Sequence, residues 1–119
     1  KVEFFENINA RYDFDIGVKK IDIIVVDVSF ISVTMIASQL KKFLFKDSIL
    51  IILIKPQFEA NKDEVGYGGV IKNIYLIPKI LDKVIKNLQR IGLNLLVLKK
   101  SELKGKKGNQ EFFAIFKLS

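Results

Sequence analysis

Cysteine and histidine are both missing from the 119-residue sequence. Their absence excludes disulfides, Cys/His zinc sites, thiol nucleophiles and any triad with histidine as its base. Any proton chemistry must therefore come from Lys, Asp, Glu or Tyr. Long hydrophobic runs are missing too. The longest, Ile49–Ile54, falls far short of the ~20 apolar residues a membrane span requires. No signal-peptide pattern opens the chain. It starts at Lys1 rather than Met, directly in a strand-like run, and so reads as a piece of a longer protein. Acid is the scarcer charge, with 13 Asp and Glu against 20 Lys and Arg, a formal net charge of +7. That excess points to an anionic partner, nucleic acid first, because no basic amphipathic membrane helix is evident.

What the chain does have is concentrated between Ile21 and Glu59. Two apolar, β-branched runs of strand length, Ile21–Val26 and Ser48–Ile54, flank an amphipathic segment of helix length. This pattern predicts a βαβ unit with buried parallel strands, hence an α/β fold. Ser32 is the expected N-cap of the helix, on which Val33, Ile36, Ala37, Leu40, Phe43 and Leu44 share a face. Asp27 follows the first strand and Lys55 the second. In open α/β sheets the ligand crevice lies outside the carboxyl ends of the strands, so an acid and an amine are expected to meet there.

The rest of the chain fits around this unit. Lys1–Phe5 reads as a short strand, with Asn7–Tyr12 as the loop leaving it. Pro56 ends the second core strand. Gln57–Asn73 reads as a long polar loop holding Gly66-Tyr67-Gly68-Gly69, a length that in compact domains is often functional. Its glycines do not follow Walker or dinucleotide spacing. A second helix carries Ile77, Ile80, Leu81, Val84, Ile85, Leu88 and Ile91, with a regular start expected near Pro78 and a stop at Gly92. Leu93–Leu98 reads as a third core strand and Lys99–Gln110 as a basic hairpin loop. The last strand, Glu111–Lys117, is expected to pair antiparallel with its predecessor.

Three motifs in order, Val26-Asp27-Val28-Ser29-Phe30-Ile31-Ser32, Lys55-Pro56-Gln57-Phe58-Glu59 and Gly108-Asn109-Gln110-Glu111-Phe112, closely resemble the TlyA family. Asn9-Ala10-Arg11 and Gly66-Tyr67-Gly68-Gly69-Val70 add to the match, which spans essentially the whole chain. Members of that family are FtsJ-like, S-adenosylmethionine-dependent ribosomal RNA 2′-O-methyltransferases, often labelled haemolysins. The resemblance implies that residues 1–119 are a partial FtsJ-like methyltransferase domain. This would be the carboxyl-terminal half of a Rossmann-like sheet: parallel strands, a final antiparallel strand, and helices packed on the sheet. The family's S4-type RNA-binding domain and Gly-rich cofactor motif do not appear in the sequence.

FtsJ-like enzymes use a Lys-Asp-Lys-Glu tetrad, and by motif Asp27, Lys55 and Glu111 match three of its members. A ribose hydroxyl is a weak nucleophile, and a lysine amine within hydrogen-bond reach can orient it and accept or stabilise its proton. Asp27 and Glu111 are expected to hold that amine, with Asn9 and Asp27 on the cofactor. Each of the three also has a plain reading as a turn cap, a solvated strand end or an exposed strand start. Lys104, Lys106 and Lys107 could meet RNA phosphate or form a solvated hairpin. The implied partners are ribosomal RNA or ribosomal subunits, in the cytoplasm and with no membrane. Two other functions compete: a membrane-active haemolysin, for which no spanning or interfacial helix is read, and a non-catalytic RNA-binding fragment. The strand Ile21–Val26 would lose its neighbour in a half-domain. Its free edge is expected either to recruit Val2–Phe5 or, as favoured here, to join a second chain.

Overall fold

The structure, a computed structural model, describes residues 2–119. The first strand, β1, covers Ile23–Val26, shorter than its apolar run. Helix α1 covers Val33–Leu40, and Ser32 caps it as expected, its hydroxyl accepting from the Thr34 amide at 3.2 Å. It is shorter than expected: Lys41–Phe43 form a 3₁₀ turn and Leu44 is extended, so Phe43 and Leu44 are buried from beyond the α-helix. Strand β2 covers Ile49–Ile54. The turn before β2 is tied down by Ser48, fully buried, whose hydroxyl donates to the Ile21 carbonyl at 2.6 Å and accepts from the Phe45 amide at 2.9 Å.

The segment after β2 is more regular than a long polar loop. A four-residue helix, α2, covers Pro56–Glu59, and a 3₁₀ turn covers Lys62–Glu64. Proline suits the first helical position, where its missing N–H would have no partner anyway. Asn61 and Glu64 close the 3₁₀ turn with a capping box. Helix α3 covers Leu76–Arg90. It begins two residues ahead of Pro78, because the first-turn amides of a helix need no partner and a proline there breaks nothing. Gly92 ends it with φ +94°, a conformation that L side chains rarely adopt. Strands β3, Leu93–Lys100, and β4, Phe112–Leu118, complete the chain. Lys99 and Lys100 therefore belong to a strand rather than to the basic loop.

The four strands lie in the order β1-β2-β4-β3. β1 and β2 pair in parallel, while β4 runs antiparallel to both β2 and β3. The last strand thus pairs antiparallel with its predecessor as expected, and it also inserts between that strand and β2. Helices α1 and α3 pack on one face, where Ile36, Ala37, Leu81, Val84 and Leu88 meet Leu50, Ile52, Ile54, Ala114 and Phe116. The opposite face is also apolar. The pairing aligns Val25, Ile51, Ile115 and Val97 across it, and Val25 is 68% exposed. No helix covers that face among the described residues.

The expected strand Lys1–Phe5 does not form. Lys1 lies outside the described residues, and Val2–Phe5 carry no strand and stay exposed. A strand needs a neighbour to satisfy its backbone, and among the described residues the edges offered are those of β1 and β3. Neither takes it up, so β1 keeps its outer edge unpaired.

Candidate active site

The pairing of the strands brings the sequence-predicted acid and amine together. β1 and β2 are parallel, so their carboxyl ends lie side by side and place Asp27 next to Lys55. The Lys55 Nζ sits 2.7 Å from Asp27 Oδ1 and donates to Ser29 Oγ at 3.2 Å. The Lys55 side chain is only 14% exposed, whereas that of Asp27 is 63% exposed. The ammonium is thus largely withdrawn from water, while its carboxylate partner stays open to solvent. Such a pair resists screening by salt better than a surface pair.

Glu111 reaches the same end of the sheet from the other direction, since β4 starts where β2 stops. Its partner is not Lys55, as the motif match implies, but Gln57, whose Nε2 donates to Glu111 Oε2 at 3.2 Å. Glu111 is buried beneath the loop that joins β3 to β4. The loop backbone comes close there: a Cβ on Gly105 would stand 2.6 Å from Glu111 Oε2, so a larger residue would displace the carboxylate end.

Helix α2 fastens these parts to one another. Besides Gln57, it carries Phe58, whose ring lies 4.8 Å from that of Phe30 in a tilted pair. Phe30 is 85% exposed and has φ +65°, a sparsely populated conformation for a side chain of its size. Glu59 is buried and accepts from Ser32 Oγ at 2.9 Å and from the Val33 amide at 2.8 Å. A carboxylate at the first turn of α1 satisfies free amides and opposes the positive end of the helix dipole. Burial nonetheless pushes the Glu59 carboxyl above its ordinary value, against the two hydrogen bonds and the charge of Lys83. The segment Asp27–Ser32 is thereby clamped to the residues that follow Lys55.

Two clefts meet at Ser29. One, of about 630 Å³, is lined by Phe30, Lys55, Gln57, Phe58, Glu111 and the basic loop, including Lys104, Lys106 and Lys107. Gly69 lies on its rim, so the Gly66–Gly69 turn does border the site. Asn109 holds it there: its Oδ1 accepts from the Ile71 amide at 3.1 Å and its Nδ2 donates to the Gly69 carbonyl at 2.9 Å. The other cleft, of about 620 Å³, lies between Asn9, Ala10, Val28, Ile31 and Ile36. Asn9 Oδ1 accepts from the Arg11 amide at 3.0 Å, which fixes the amide plane at the cleft wall. Sequence reasoning placed Asp27, Lys55, Asn9 and the loop lysines here but missed the parts played by Ser29, Phe30, Gln57, Phe58, Glu59 and Asn109. All six lie inside the three motifs, so the signal was present as neighbours of the residues singled out.

A parallel α/β sheet closed by an inserted antiparallel strand, with charged groups at its carboxyl end, defines a Rossmann-like methyltransferase fold. The sequence comparisons agree: the FtsJ-like methyltransferase family model matches residues 1–118, and the chain belongs to that family. It is 43% identical over 94 residues to "Hemolysin A" of Brachyspira hyodysenteriae, covering 79% of this chain and 39% of that protein. It is 35% identical over 94 residues to the "16S/23S rRNA (cytidine-2'-O)-methyltransferase TlyA" of Mycobacterium tuberculosis, covering 79% of this chain and 35% of that protein. Among solved structures, a hemolysin-named protein from Streptococcus thermophilus superposes with a TM-score of 0.87 at 31% identity. That match covers 94% of this chain and 41% of the other. The chain thus spans well under half the length of these relatives.

The raised Glu59 carboxyl has a measurable consequence. An acid whose folded value lies above its unfolded one binds its proton more tightly when folded. Its favourable contribution is therefore complete below the unfolded value and is lost as pH rises through the folded value. Stability should fall as pH rises from the ordinary value of 4.5 to the raised one. Glu59→Gln should remove that slope while keeping an acceptor for the Val33 amide. Chemical denaturation across this pH range checks it, and a slope unchanged in the variant would assign the pH dependence to another group.

Proposed function

We propose that this chain forms part of the catalytic domain of a ribosomal RNA ribose 2′-O-methyltransferase that uses S-adenosylmethionine. The observation that carries the proposal is the Lys55–Asp27 pair at 2.7 Å, placed at the carboxyl ends of two parallel strands, with Lys55 lining an aromatic, basic cleft. Family membership and the ribosomal RNA methyltransferases among the relatives support the reaction class.

The residues fit such a cofactor. Val28, Ile31 and Ile36 offer apolar walls to a purine, and Asn9 offers the free side of its amide. S-adenosylmethionine supplies, when bound, an electrophilic methyl group on a sulfonium. In its free amine form Lys55 takes the ribose hydroxyl proton, and the resulting ammonium is stabilised by Asp27. Ser29 orients the amine from the other side. The exposed Phe30 ring presents a stacking face for a base, a contact worth about 1–3 kcal/mol in single-strand recognition. Lys104, Lys106 and Lys107 lie where the phosphates of that strand would pass. A ribosomal substrate implies a cytoplasmic setting. No helix among the described residues is long and apolar enough to cross a membrane.

The test of Lys55 is kinetic. In a full-length family polypeptide carrying these residues, Lys55→Ala should lower single-turnover methyl transfer to ribosomal RNA by about 10²–10⁴-fold. KM for RNA and cofactor should change little, because the amine acts in the chemical step. A near-normal rate would remove Lys55 from the mechanism.

We also infer that the 119-residue chain by itself associates with a second copy through the unpaired edge of β1. The exposed Ile23 and Val25 and the bare sheet face beside them make that edge an open template for strand pairing. Light scattering should show a dimer or larger species, and a monodisperse monomer at high concentration would refute the association.

A further inference from the structure

The strand register sets up an ion pair that the structure does not contain. Ile54 of β2 lies opposite Phe112 of β4, so Lys55 and Glu111 are the next opposed positions beyond the ladder. Directly opposed residues have Cβ atoms about 4.5–5.5 Å apart, well within reach of a lysine and a glutamate. Yet Lys55 turns towards Asp27 and Ser29. Among the described residues Glu111 forms no ion pair, and the Gln57 amide takes its carboxylate instead.

The Gln57 amide is held in one orientation at a cost. Its Nε2 faces Glu111, while its Oε1 is buried with no donor. Turning the amide over would set Oε1 against the carboxylate, two acceptors facing each other. The orientation that keeps Glu111 satisfied therefore leaves the amide oxygen orphaned, and buried polar atoms are seldom left so. Gly105 leaves the Glu111 carboxylate room, since a Cβ there would stand 2.6 Å from Glu111 Oε2 and push it aside.

We infer that Gln57 is a positioning residue for methyl transfer, holding Glu111 off the Lys55 amine and against the opposite wall of the cleft. The inference rests on the methyltransferase reading above. Its chemical sense is that a second carboxylate on Lys55 would favour the ammonium form and leave less of the free amine that can accept the ribose proton. With Glu111 held by Gln57, Asp27 is the one carboxylate on the amine among the described residues, and Glu111 presents its charge separately to whatever occupies the cleft.

Two measurements test this, and the first needs no activity. In the 119-residue chain, the NMR signals of the Gln57 side-chain amide should show hydrogen bonding and move on Glu111→Ala. If they do not respond, the contact is absent and the proposal falls. In a full-length family polypeptide, Gln57→Ala should lower kcat about tenfold with KM little changed, and lower it less than about twofold when Glu111 is already Gln. Equal losses in both backgrounds would show that Gln57 does not act through Glu111 and would overturn the proposal. Gln57→Glu keeps the shape and opposes two carboxylates, and should reproduce the loss should the alanine variant fail to fold. Absence of methyl transfer in the unsubstituted polypeptide would instead refute the function proposed above, with the amide signals still deciding the role of Gln57.

Discussion

The parallel pairing of β1 with β2 is the constraint on which the site depends. It sets Asp27 beside Lys55 without help from any long loop, since both follow directly from the strand ends. A lysine ammonium that is mostly withdrawn from water needs a carboxylate partner, and here the backbone ladder supplies its position. The antiparallel entry of β4 on the other side of β2 adds Glu111 from the opposite direction. Three charged groups thus arrive at one sheet end from three separate stretches of sequence.

Helix α2 converts this convergence into a defined geometry. Its four residues include one that grips Glu111, one that stacks on Phe30 and one that caps α1. Lys83 of α3 anchors the same turn by donating to the Glu59 carbonyl at 2.7 Å. Segments that must carry charge close together are costly to hold, and here each is tied to at least one element of the helix-covered core. The burial of Glu59 opposes its charge, which places some of the stability of this brace under the control of pH.

Much of this was legible in the sequence. The apolar runs marked the core strands, helical spacing marked both helices on the sheet, though it carried the first past its end at Leu40, and Ser32 and Gly92 marked a start and a stop. Asp27 and Lys55 stood out because a charge directly after an apolar strand has few places to go. The strand expected over Lys1–Phe5 does not form at Val2–Phe5 because its pattern carries no information about a partner, and pairing is a property of the sheet rather than of the segment. The insertion of β4 between β2 and β3 was equally hidden, since hairpin-like spacing is satisfied by either position at that edge. Helix α2 went unseen because four residues give no periodicity, although Pro56 was its start signal. The Gln57–Glu111 contact joins residues 54 positions apart and emerges only from the register.

The account turns on the Lys55 amine as the group that takes the ribose proton, rather than as a fixed positive charge. Lys55→Arg separates the two, because a guanidinium keeps the charge and the ion pair with Asp27 but cannot give up its own proton at any accessible pH. Single-turnover methyl transfer to ribosomal RNA by a full-length family polypeptide carrying this substitution is the most direct measurement. A loss as deep as that of removing the side chain is the predicted result. A rate within a few-fold of the unsubstituted enzyme would contradict the account and reduce Lys55 to an electrostatic guide.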